Sequence, residues 1–164
     1  MFDPAKYGEE VARILALDGG GARLMPLSIE GCTSAEAQRL VRTAKVPELL
    51  RAGLFFYFNC WNDAHEVAQN IESPEGSYWH ALIHRQEQDA SNSGYWFRRV
   101  GRHAIFPALC KAAEAKGIHF GAQWDPIKFV DYCVEAAKGS AEARKAQEVQ
   151  LAEWQLLFDY CGEK

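Results

Sequence analysis

The residues best suited to chemistry are three histidines and two glutamates in the middle of the chain. His80 and His84 lie four apart and Glu87 follows three later, so at about 100° per residue all three share one face of a helix. Tyr78, Trp79, Leu82 and Ile83 turn toward another face. Histidines at this spacing can bind one metal ion, and a carboxylate one turn further on can be a ligand or can orient an imidazole. His65-Glu66, just upstream, supplies a third imidazole and another acid if its helix packs antiparallel to the first. His65, His80 and His84 would then hold a divalent transition metal (zinc, iron or manganese) with a position open to water, and Glu66 or Glu87 would move a proton. Ala81 follows His80, so the glutamate of the zincin signature is missing. The plainer alternative is a metal-free set in which His80 and His84 bond Glu66 or Glu87.

A second group follows at once: Asn92, Tyr95, Trp96, Arg98, Arg99 and Arg102. Residues 80–104 carry four arginines against two acids, a local +2 in a chain whose formal net charge is −4. Arginine forks take carboxylate or phosphate bidentately, and tyrosine and tryptophan beside them could wall a small organic anion. The competing arrangement is internal, with Arg98 or Arg99 pairing Glu87 or Asp89. Three functions follow: a metal-dependent hydrolase or lyase acting on a small anionic substrate, a metal-free binding module for a small carboxylate or phosphate compound, and a structural or interaction protein whose polar network fixes the fold.

Tyr78-Trp79-His80-x-x-x-His84-Arg85-x-Glu87-x-Asp89-x-x-Asn92-x-x-Tyr95-Trp96-Phe97-Arg98-Arg99-Val100-Gly101-x-His103 resembles a motif of an uncharacterised microbial protein family, over roughly residues 60 to 107. The resemblance implies a shared neighbourhood and carries no activity with it. A second local likeness, of Ile14 to Arg23 to the glycine-rich oxyanion loop of patatin-like lipases, lacks its partner: no Gly-x-Ser-x-Gly turn occurs in the chain. Gly19-Gly20-Gly21-Ala22-Arg23 has neither the spacing nor the lysine of a phosphate loop, and reads as a tight turn.

The elements that must position these side chains are helices. Residues 12–16 and 22–26 flank the glycines as a short hairpin or an extended segment, the one candidate for β structure. Thr33 with Glu36 suggests a capping box and a helix to about Thr43. Glu48 to Phe58 reads as helix, with Leu54-Phe55-Phe56-Tyr57-Phe58 buried whether helix or strand. Trp61, Ala64, Val67, Ala68 and Ile71 recur at helical spacing over 61–72. Ser73-Pro74-Glu75 is a strong helix start, leading to about Glu87. Asp89 to Gly94 has turn composition, and helices follow over 95–100, 105–116, 126–138 and 140–161. The expected architecture is mainly α: an irregular multi-helix bundle in a single domain, with 1–30 as a lead-in segment and 33–161 as the helical core.

At 164 residues, 48% hydrophobic and 24% charged, the chain can bury one core. The mild negative charge points away from nucleic acid and from membrane surfaces. The N-terminus lacks a basic flank and an apolar run, and no stretch reaches the ~20 apolar residues of a membrane span, so the cytoplasm is expected. Cys32, Cys60, Cys110, Cys133 and Cys161 are odd in number and form no Cys-x-x-Cys pair. They are expected to be mostly small buried hydrophobes rather than a disulfide framework or a zinc site. A homodimer through the exposed part of the last helix is compatible with this reading.

Overall fold

The computed structural model describes Met1–Lys164. Nine α-helices follow in order: α1 (Glu9–Ala16), α2 (Ala35–Thr43), α3 (Glu48–Tyr57), α4 (Trp61–Gln69), α5 (Pro74–Gln86), α6 (Ala90–Val100), α7 (Phe106–Ala115), α8 (Pro126–Ala136) and α9 (Ala143–Gly162). Short 3-10 turns at Pro4–Tyr7 and Gly19–Gly21 complete the regular structure, and there is no strand. The fold is a mainly α multi-helix bundle, and no helix is long and apolar enough to cross a membrane.

The segment considered for a hairpin is instead helix followed by an irregular chain. Glu9 and Glu10 favour the positive start of α1, while Val11, Ile14 and Leu15 form its buried stripe. The glycine turn after it is fixed by one hydroxyl. Tyr57 Oη donates to Asp18 O (2.5 Å) and accepts from Gly21 N (3.2 Å) and Arg23 N (3.0 Å), so the chain folds round a side chain and cannot pair as a ladder. Gly21 sits at φ +83°, and a Cβ there would lie 2.4 Å from the Phe2 ring.

α5 is the axis of the molecule. Ser73 Oγ accepts from Gly76 N, Pro74 occupies the first turn, and every residue from Glu75 to Gln86 is buried. It packs against α3, α4, α6 and α8. A helix buried on all sides must be apolar or must pair its polar groups. The larger core joins α3 and α5 to the second half of α9 through Trp79, Phe56, Trp154 and Phe158. A smaller core gathers Leu109, Trp124, Phe129 and Val149 between α7, α8 and the start of α9. Leu54 to Phe58 is buried, and apart from Phe58, the C-cap, it is α3 helix.

Three local expectations are corrected. Ser34, not Thr33, caps α2, its Oγ accepting from Ala37 N at 3.0 Å; the Thr33 N–H goes to Phe58 O. Asp89 to Gly94 is not a turn, because Asp89 caps α6 through Asn92 N (3.0 Å) and Ser93 Oγ donates to Ala81 O on α5 (2.7 Å), so the polar residues serve the helix start. Finally, Cys32 is exposed and joined to buried Cys60 by a disulfide across a Cα separation of 4.4 Å, where free buried thiols were expected. Cys110, Cys133 and Cys161 are free thiols.

Candidate functional site

The connection between α4 and α5 is short because Gly76 lets Ile71 come close: a Cβ at Gly76 would sit 2.2 Å from Ile71 O. The two helices run back against each other, and His65 on α4 meets the histidine face of α5. His65 Nε2 lies 3.0 Å from His80 Nε2. The three ring centroids stand 4.7 Å (His65 to His80), 4.8 Å (His80 to His84) and 5.1 Å (His65 to His84) apart, close to an equilateral triangle. One nitrogen from each ring falls within 4.8 Å of the others.

Each ring is oriented by a neighbour. Trp61 stacks on His65 at 5.0 Å and 12°, held by its own indole N–H donating to Ile83 O (2.9 Å). Trp96 of α6 stacks on His80 at 3.9 Å and 21°. Glu87 Oε1 takes His84 Nδ1 at 2.5 Å, which leaves the other nitrogen of that ring without a hydrogen-bond partner in the protein. Asn92 Nδ2 lies 3.4 Å from the same Nδ1. Because Nδ1–H is already given to Glu87, Asn92 acts as a neighbour that confines the ring. His80 Nδ1 is buried with no partner, so stacking holds this imidazole where a hydrogen bond commonly would.

Burial lowers the His80 pKa to about 4, helped by the adjacent His84 and His65 imidazoles. His65 is lowered as well, by burial and then by His84, against a smaller opposing pull from Glu87. Both rings are therefore neutral near pH 7, the form that offers a lone pair to a metal. Distances agree with that chemistry. Tetrahedral ligands about 2.05 Å from a zinc ion stand about 3.4 Å from one another, and His65 Nε2 and His80 Nε2, 3.0 Å apart, lie close to that edge.

The other expected residues divide. Glu66 is exposed, one residue round α4 from His65, and stands outside the cluster. Asn92 and Trp96 touch the histidines, and Trp96 also meets an arginine on its ring. Arg98, Arg99 and Arg102 are exposed and none pairs with a carboxylate, so the internal network of Arg98 or Arg99 with Glu87 or Asp89 does not form. Arg99 instead lies over the Trp96 ring at 5.5 Å, and Tyr95 projects outward at 47% exposure. The buried arginine is Arg85, whose Nη2 donates to Glu153 Oε2 (2.7 Å) and Gln150 Oε1 (3.2 Å) while Tyr78 Oη donates to Glu153 Oε1 (2.9 Å). Sequence reasoning missed this pairing because its carboxylate lies on α9, 68 residues away. Comparison with protein-family models, with curated proteins and with solved structures finds no match.

Proposed function

We propose that the chain is a metal-dependent hydrolase or lyase for a small anionic substrate, with His65, His80 and His84 as the ligands. The observation that carries the reading is the triangle of three imidazoles, two of them held neutral by burial, with Glu87 fixing the tautomer of His84. A transition metal bound there would lower the pKa of a bound water toward 7 or polarise a carbonyl. Glu87 acts by orienting His84. Glu66 is exposed beside His65 on α4 and bonds none of the three imidazoles, whereas Glu87 bonds His84. Trp61 and Trp96 exclude water from two sides of the cluster, which strengthens any charge interaction inside it.

The test is metal binding by tag-free protein. Stripped protein titrated with zinc, manganese and ferrous ions is expected to take up one ion per chain, with a thermal shift that His84→Ala and His65→Ala both abolish. Uptake of less than a tenth of an equivalent by the unaltered chain would sink the proposal. The compartment belongs to the same reading: the cytoplasm expected from the sequence competes with the Cys32–Cys60 bond, which favours an oxidising surrounding.

A further inference from the structure

A second set of side chains able to ligate a metal meets at the corner between α3 and α4. Cys32 Sγ, Cys60 Sγ and a carboxylate oxygen of Asp63 all lie within 4.8 Å of one another. A cavity of about 380 Å³ opens beside them, walled also by Gln38, Asn59 and Trp61, so there is room for an ion with its water. Cys32 is exposed and Cys60 buried, which gives the pair one sulfur that small molecules can reach.

The two cysteines are kept together by more than their own bond. Thr33 N donates to Phe58 O at 2.9 Å, and Asn59 uses both ends of its amide on the same segment: Oδ1 accepts from Glu30 N (2.7 Å) and Nδ2 donates to Ser28 O (3.3 Å). Asn59 is buried and stands at φ +59°, a conformation that residues with side chains rarely adopt and that persists where the surroundings over-determine it. These bonds seat residues 28–33 against residues 58–60 without help from the sulfurs, so cutting the disulfide leaves Cys32 beside Cys60. Asp63 is fixed as well. Gln38 Nε2 donates to its Oδ2 (2.7 Å), and Arg42 gives Nε to Oδ1 (3.0 Å) and Nη2 to Oδ2 (3.4 Å). A carboxylate has about four acceptor positions, so one remains, on Oδ1. Outer hydrogen bonds of this kind orient a ligating carboxylate.

We propose that reduction of the Cys32–Cys60 bond creates a second metal site, in which the two thiolates and Asp63 Oδ1 hold one zinc-class divalent ion with a fourth position left to water. Two molecules of a small thiol, RSH, reduce the bond to the free Cys32 and Cys60 thiols and leave as RSSR; the ion then displaces both thiol protons to solvent. Thiolates on one zinc ion stand about 3.8 Å apart, and the exposed Cys32 side chain turns to that separation once the bond is cut. Two sulfurs and one oxygen select zinc or cadmium over magnesium and calcium. The site shares no residue with the histidine triangle and does not depend on it.

The experiment titrates the full chain, stripped of metal, with cadmium ions in two states: oxidised, and reduced with a trialkylphosphine that is then removed without air. The readout is the ultraviolet thiolate-to-cadmium absorption, to which imidazole ligands contribute nothing, so the result is independent of whether the histidine triangle binds metal. Cys110, Cys133 and Cys161 are free thiols in both states, and the oxidised chain subtracts their signal. The reduced chain is expected to gain an absorption that saturates at one equivalent and is lost in Cys32→Ser, a change at an exposed position. Asp63→Asn should weaken cadmium by at least about tenfold, the scale on which even outer-shell partners act. The proposal is overturned if the reduced chain absorbs no more than the oxidised one, if the signal survives Cys32→Ser, or if Asp63→Asn binds cadmium as tightly as the unaltered chain.

Discussion

His84 is held at one nitrogen by Glu87 and is free at the other, and that asymmetry separates a ligand set from three crowded imidazoles. A carboxylate on the outer nitrogen fixes the tautomer and raises the basicity of the inner one. Glu87→Gln keeps the shape but removes the charge, so it should weaken metal affinity by about 10- to 100-fold while leaving the unfolding midpoint of stripped protein nearly unchanged. Calorimetric zinc titration of the two proteins compares them directly. The same residues set an acid limit. His65, His80 and His103 all have pKa values lowered chiefly by burial, His80 to about 4, so the unfolded chain binds their protons more readily than the folded one. Their stabilising effect is present above about pH 6.5 and is lost as pH falls through the lowered values. Thermal unfolding of stripped protein should show a midpoint that is level from pH 8 to 7 and declines between pH 6.5 and 4. A midpoint rising over that interval would contradict the neutral assignment.

At the scale of elements, the histidine face of α5 was legible because its spacing is local: Ser73-Pro74 sets the start, and His80, His84 and Glu87 then follow by helix arithmetic. The arrival of His65 was conditional on how α4 turns back, and the residue that decides it is Gly76, which no periodicity marks. Gly76→Ala would place a methyl 2.2 Å from Ile71 O, against backbone rather than a flexible tip. Relief requires the α4–α5 corner to open, so the substitution should destabilise by about 1–3 kcal/mol or more and also lower metal affinity. Denaturant unfolding and zinc titration of the one variant read both effects. A loss of stability with unchanged affinity would show that the corner does not set the imidazole triangle. The Asp89 to Gly94 segment failed as a turn for a related reason. Its Asp, Asn, Ser and Gly suit a turn or a helix start equally well, and the choice is made by Ser93 Oγ reaching Ala81 O on another helix.

Over the whole molecule, long-range pairs decide what composition leaves open. Arg85 reads as one more cation in a basic stretch, yet it is 1% exposed and meets Glu153, fully buried on α9, while Arg98, Arg99 and Arg102 stay outside. Glu153→Ala would strand a buried guanidinium, and a loss of about 3–5 kcal/mol is expected in urea unfolding, since the partner left behind has no route to water. The Cys32–Cys60 bond acts at the same scale. It ties the irregular chain before α2 to the residue preceding Trp61, closing a separation of 28 residues. Loop-closure entropy for that length corresponds to about 3–4 kcal/mol. Cys32→Ser with Cys60→Ser should lower stability by up to that amount, and by less if the unfolded chain keeps structure there. Because Cys60 begins the turn that sets the Trp61 ring on His65, the loosened protein should also bind zinc more weakly than the oxidised one. The bond's state in cells follows from compartment chemistry. Alkylation of unfolded protein taken directly from acid-quenched cells should label Cys110, Cys133 and Cys161 alone if the surroundings are oxidising, and all five cysteines if the cytoplasm keeps the pair reduced. The second outcome would make the zinc affinity of the reduced protein the one that matters for the proposed reaction.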